Sequence, residues 1–191
     1  MTVIRVVGFD PSLTHWGIAT GGLDLITGDF TLDEIKVIEP KALNTKQVRV
    51  NSSDLHRAGE LAQDVFTYAR AAKVVFAEVP VGSQSARAMC SYGICVGILA
   101  SLRVDGINVI EVTATEVKKA LSGISSASKE QMTKVAVGIY PAASWPRHTR
   151  NGKGFRKGDI TSSAEHIADA IGAIYAGVRT PVFQTYLRLH S

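Results

Sequence analysis

The stretch VIRVVGFDPSLTHWGIAT (residues 3–20) decides the fold. Residues 3–9 suit a buried strand, Pro11 lies in a short connection, and WGIATG (16–21) reads as a second strand. One acid, Asp10, stands where the first strand ends. An acid in that place is also an ordinary turn residue, so its meaning depends on what the rest of the chain brings beside it.

Further along, EIKVIE (34–39) alternates in the manner of a third strand, and three consecutive strands without helices predict a meander. From about Ser53 to Ala72, Leu55, Ala58, Leu61, Ala62, Val65, Phe66 and Ala69 recur at helical spacing. KVVFAEV (73–79) is a continuous β-branched run, as expected of a strand buried on both faces. A small-residue helix over roughly 84–103 and a strand INVIEV (107–112) follow. Thr113 with Glu116, Ser128 with Gln131 and Ser162 with Glu165 have capping-box spacing and mark three more helix starts. Residues 179–191 read as a C-terminal tail. This order predicts an α/β fold: a mixed five-stranded sheet, a three-strand meander plus parallel strands, with helices on both faces. Strand one is then central and parallel to strand four, and functional groups gather at the carboxyl ends of the parallel strands.

A chain of 191 residues is expected to form one domain, 1–191. Its 46% hydrophobic and 20% charged residues are those of a globular protein. The apolar runs are read as too short to cross a bilayer, and no signal-peptide pattern opens the chain, so no membrane partner and a cytoplasmic location are expected. Cys90 and Cys95 would point about 140° apart on a helix, which suits buried free thiols rather than a disulfide or a metal pair. A net charge of +4 and a pI near 9.1 are compatible with a nucleic-acid partner.

If strands one and four are neighbours, Asp10 and Glu78 lie about 4.8 Å apart across the strands and project from one rim. Such a carboxylate pair suits hard divalent cations, and magnesium keeps enough water to accept few protein ligands. Glu78 carries weight because a charge within VFAEVP is costly unless paired or ligated. In the last helix, His166 and Asp169 are three residues apart and share a face, beside an apolar stripe of Ile167, Ala170, Ile171, Ile174 and Val178. That helix is expected to bury one side on the sheet and to offer the pair at its edge. Together the four residues predict a two-metal centre for phosphodiester cleavage, in which one ion activates water and the other stabilises the leaving oxygen.

Four blocks resemble the RuvC-type Holliday junction resolvases, a branch of the ribonuclease H-like superfamily: GFDPSLTHWGIA (8–19), VVFAEVPVGSQSARAMCSYGICVGILA (74–100), TATEVKKALSGISSASKEQM (113–132) and AEHIADAIGAIYAG (164–177). The similarity runs from residue 3 to about 178. It implies a ribonuclease H-like fold and a magnesium-dependent homodimeric endonuclease, with manganese as substitute, two ions per site and symmetric nicking of four-way junctions. By position it implies that Asp10, Glu78 and Asp169 are metal-binding carboxylates. His166 falls where members carry His or Asp, as a further metal ligand or as the group that orients the attacking water, and Lys118 and Lys129 match the basic pair near the scissile phosphate. Lys119 is a neighbouring candidate for DNA contact.

Two features depart from the family. Where an aromatic residue shortly after the catalytic Glu is usual, this chain has Pro80, Val81 and Gly82. Residues 141–161 form a longer, more basic loop, with Arg147, Arg150, Lys153, Arg156 and Lys157 as candidate phosphate contacts. Its Gly152, Gly154 and Gly158 suggest flexibility, and Trp145 and Phe155 are candidates for stacking on unpaired bases. Ala86 to Ala100 is the candidate dimer interface, since Gly93, Gly97 and Ala100 permit close helix approach; packing on the protein's own sheet accounts for them equally well. The rival readings are a related nuclease acting on flaps or RNA–DNA hybrids, and a non-catalytic junction-binding protein. A sugar-kinase or actin-like reading fits less well, because the chain is short for two such lobes.

Overall fold

The computed structural model describes residues 3–43 and 49–190. Five strands, β1 (Val3–Asp10), β2 (Trp16–Asp24), β3 (Phe30–Ile38), β4 (Val74–Glu78) and β5 (Val109–Val112), form one sheet in the order β3-β2-β1-β4-β5. The first three pair antiparallel as a meander, whereas β1, β4 and β5 run parallel. Helix α1 (Val50–Ala71) leads into β4, and α2 (Ala86–Val104) crosses from β4 to β5. Four helices follow: α3 (Ala114–Ser122), α4 (Lys129–Ile139), α5 (Ala164–Gly177) and α6 (Pro181–His190).

Alternation along the central strands divides the core in two. Val7, Phe9, Val75 and Ala77 face α1 and α2, and Val6, Val74 and Phe76 face α3 to α6. Thus β1 and β4 are buried on both faces, which is why they read as continuous apolar runs.

Helix α5 is the hub of the second layer, touching β1, β2, β4, α3 and α4. Its burial goes beyond the single stripe expected, since ten of its fourteen residues are buried. Its close approach to the sheet depends on glycine. A Cβ on Gly8 would lie 2.0 Å from the Ala170 carbonyl oxygen, and one on Gly17 would lie 2.0 Å from that of His166. Two bare backbone positions on adjacent strands therefore form the seat on which α5 rests.

Several expectations need correction. Residues 181–190 are a helix rather than a tail, because Phe183 is buried and packs edge-on to Phe76, 5.2 Å between centroids. The capping boxes at Thr113 and Ser128 form, but that at Ser162 does not. Helix α5 begins after Ser163, which is itself in a helical conformation and makes no side-chain cap. Cys95 is buried as expected, whereas Cys90 is exposed on the outer face of α2. In the second turn of α1 the polarity is inverted: Leu55 is exposed while Asp54 is buried, paired with Arg87 and Arg57. Finally, α2 has the length and the mean hydropathy, 1.3, of a membrane span, although its apolar residues are interrupted by small and polar ones. Its Cys95, Ile98, Leu99 and Leu102 are buried in the layer it shares with α1.

Candidate active site

The β1–β4 register, Val6 with Val74 through Phe9 with Ala77, continues to set Asp10 beside Glu78 at the carboxyl ends of the two strands. Alternation turns both carboxylates towards α5, because Phe9 and Ala77 face the other layer. Gly17 pairs with Asp10 across β1 and β2, and the absence of its side chain lets the first turn of α5 descend onto the rim. His166 thereby reaches Asp10: its Nδ1–H donates to Asp10 Oδ2 at 2.6 Å. One turn on, Asp169 is close enough to feel the charges of Asp10 and His166.

The electrostatics mark a crowded acidic site. Burial pushes the Glu78 carboxyl up to about 8, with the charges of Asp10 and Asp169 adding to it and Lys118 opposing it. Burial and then Asp10 push Asp169 up to about 7, against His166 and Lys129. For His166, burial disfavours the imidazolium, but the hydrogen bond and charge of Asp10 outweigh it, and its pKa is raised.

These shifts have a thermodynamic sign. From about pH 5 the native state holds protons, on Asp169 up to about 7 and on Glu78 up to about 8, that the unfolded chain, with carboxylates titrating near 4, has released. Stability of the metal-free protein is fully present below that lower range and falls as pH rises through the folded values. A loss on the order of 2–4 kcal/mol between pH 5.5 and 8.5 is expected, a fall of roughly 5–10 °C in melting temperature. Glu78→Gln flattens this slope. A divalent cation added at pH 8.5 is expected to restore the lost stability in the parent protein, whereas a melting temperature that rises with pH would contradict the assignment.

Among the described residues, no three His, Cys, Asp or Glu side chains are drawn together as a closed metal-binding group. The donors nonetheless fit a hard divalent cation: three half-buried carboxylates with mutually repelling charge, arranged around one rim. Asp10, Glu78 and Asp169 could hold it. His166 uses Nδ1 on Asp10, and its Nε2 lies 3.7 Å from the Glu165 carboxylate.

The basic candidates divide. Lys118 on α3 acts on Glu78, and Lys129, the first residue of α4, acts on Asp169 and His166, so both border the site. Lys119 points elsewhere, into a cleft it shares with Ala176 and Arg179 near the opposite end of α5. Two participants escaped the sequence reading. Glu165 accepts from Lys129 Nζ at 2.6 Å and lies 3.7 Å from His166 Nε2, and the His15 ring stacks on that of His166 at 5.5 Å. Glu165 was assigned to a helix cap, and His15 lies in the connection after Asp10, where spacing carried no signal.

The basic segment is a folded hairpin rather than an open loop. Arg147 bridges to Ile160 and Gly152 to Phe155, while Gly154 and Gly158 take positive φ at its turns. Arg147 Nη1 donates to the Gly158 carbonyl, whereas Arg150, Lys153, Arg156 and Lys157 are exposed. Trp145 does not face solvent: it is buried, with Nε1–H donating to the Tyr140 carbonyl. Phe155 stacks on His148, 3.7 Å between centroids.

Residues 6–147 match the family model of crossover junction endodeoxyribonuclease RuvC. The chain belongs to the RuvC family. Crossover junction endodeoxyribonuclease RuvC of Rhodococcus opacus (strain B4) is 30% identical over 151 residues, covering 75% of this chain and 73% of the relative. The protein of the same name from Rhodococcus jostii (strain RHA1) is 28% identical over the same shares. Among solved structures, T. thermophilus RuvC in complex with Holliday junction substrate superposes with a TM-score of 0.63 at 21% identity, over 95% of this chain and 96% of that one. The RuvC fold is thus shared along nearly the whole chain. The family model's match stops at residue 147, where the basic hairpin begins, so the rest of the hairpin and α5 lie beyond it.

Proposed function

We propose that this RuvC-family chain is a metal-dependent endonuclease that resolves four-way DNA junctions by paired symmetric nicks. The observation that carries the reading is the meeting of Asp10, Glu78, His166 and Asp169 at one end of the parallel strands, bordered by Lys118 and Lys129. The complex of T. thermophilus RuvC with a Holliday junction supports the choice of substrate.

In this reading Asp10, Glu78 and Asp169 hold two magnesium ions, with manganese as substitute. When bound, the ions supply an activated water and charge neutralisation at the leaving oxygen. The protein's own groups do the rest. Through its Nδ1–H, His166 fixes the orientation of the Asp10 carboxylate. Lys118 and Lys129 present ammonium groups where a phosphate would add negative charge, and Glu165 keeps Lys129 at the rim until one arrives. The exposed cations of the hairpin track the DNA backbone.

Symmetric cutting needs two sites, which a twofold homodimer supplies. We assign the contact to α2, since only 22% of its most apolar window is buried within the chain. Met89 and Val96 stand exposed there, and Gly93 and Gly97 have open space around their Cβ positions. The protein is taken to act in the cytoplasm.

Matched digestion of an immobile four-way junction, a flap, an RNA–DNA hybrid and linear duplex tests the reading. With magnesium, nicks at symmetric positions in two strands of the junction are expected, at least about a hundredfold faster than on duplex. Equal cleavage of duplex, or preference for the flap or hybrid, would overturn it.

A further inference from the structure

Between α4 and the basic hairpin lies a groove of about 940 Å³ that the catalytic reading leaves unused. It is continuous with the active site, because Lys129 and Glu165 line both. Its character differs from that of a phosphate channel. Lys129 and Lys134 are balanced by Glu130 and Glu165, so the lining has no formal net charge. The stacked rings of Phe155 and His148 also line it. The uncompensated cations, Arg150, Lys153 and Lys157, belong to the exposed hairpin instead.

A neutral, ring-lined groove with a basic rim suits a planar uncharged group attached to an anionic chain. We propose that this groove receives a base left unpaired at the branch point of bound DNA, stacked on the Phe155–His148 pair. The proposal rests on the junction-nuclease reading above and deepens it. The base inserts while its flanking phosphates remain at the rim, and the strand is fixed as it passes Lys129 into the cleavage site. Stacking is tolerant of base identity, since every base has a π-face, so the groove selects unpaired structure rather than sequence. Its position explains how the chain manages with Pro80, Val81 and Gly82 following Glu78, none of which can stack.

The test uses the full chain, without divalent metal, bound to a four-way junction with one unpaired 5-iodouracil at the branch. Irradiation followed by peptide mapping is expected to place the adduct on His148 or Phe155. Phe155→Ala should abolish the adduct and weaken binding of this junction roughly tenfold or more, with linear-duplex affinity unchanged within about twofold. Phe155→Tyr should restore both, which separates loss of the ring from misfolding of the hairpin. An adduct mapped elsewhere, or equal weakening on duplex, overturns the proposal. A parallel magnesium digest separates the two levels. Failure of the wild-type protein to nick junctions overturns the underlying reading, whereas nicking with the adduct elsewhere overturns the groove alone.

Discussion

Asp10→Asn is expected to abolish junction cleavage, with a loss on the order of a thousandfold or more, while binding to the junction persists. Asp10 is the one carboxylate to which the other site residues are tied. It accepts from His166 Nδ1, and its charge acts on both Glu78 and Asp169. Asparagine keeps an oxygen that can accept from His166 but removes the negative charge a divalent cation needs. The same change relieves repulsion against the two buried acids. The melting temperature of the metal-free variant at pH 8.5 is therefore expected to equal or exceed that of the parent. Nicking at an undiminished rate by a folded, junction-binding preparation would remove Asp10 from the centre.

Gly17→Ala is expected to damage both fold and activity without touching a reactive group. The added methyl would lie 2.0 Å from the His166 carbonyl oxygen and 3.0 Å from its Cβ. Backbone cannot rotate away as a flexible side chain can, so the first turn of α5 must lift. Overpacking of this kind costs about 1–3 kcal/mol or more, a fall of several degrees in melting temperature. The larger effect is positional. Lifting α5 carries His166 and Asp169 off the rim, and a shift near 1 Å costs about a hundredfold in rate. Affinity for DNA should change little, because the exposed basic residues of the hairpin lie away from the seat. Thermal melting beside single-turnover cleavage separates these effects, and full activity in the variant would contradict the seat.

The sheet was legible because burial on two faces leaves an unmistakable trace in β1 and β4, and because the meander and crossovers restrict the pairing. The neighbourhood of Asp10, Glu78, His166 and Asp169 followed from that order. What escaped was set by tertiary partners. Trp145 sits among basic residues and glycines that resemble a solvent loop, yet the Tyr140 carbonyl and the core claim it. Phe183 is one buried anchor in a short segment, too little periodicity to announce a helix. Asp54 carries no sequence signal of burial, because its partner Arg87 comes from α2. Glu165 had the spacing of a cap partner, but the helix begins a residue later and its carboxylate turns to Lys129. The folded hairpin is likewise a product of non-local bonds, such as His148 N–H to the Asp159 carbonyl, that glycine content could not forecast.

The uncapped start of α5 has a consequence of its own. Ser163 gives that end no side-chain cap; the carbonyls of Thr161, Ser162 and Ser163 take its first N–H groups, and the side-chain links from residues 165 and 166 are Glu165 to Lys129 and His166 to Asp10. The reaction centre thus doubles as the fastener of its own helix. A substrate phosphate that draws Lys129 away from Glu165 would remove one of the two side-chain links to the turn bearing His166. Turnover in this enzyme would then be accompanied by a small cycle of unfastening and refastening at residues 164–167, a heartbeat visible in amide hydrogen exchange.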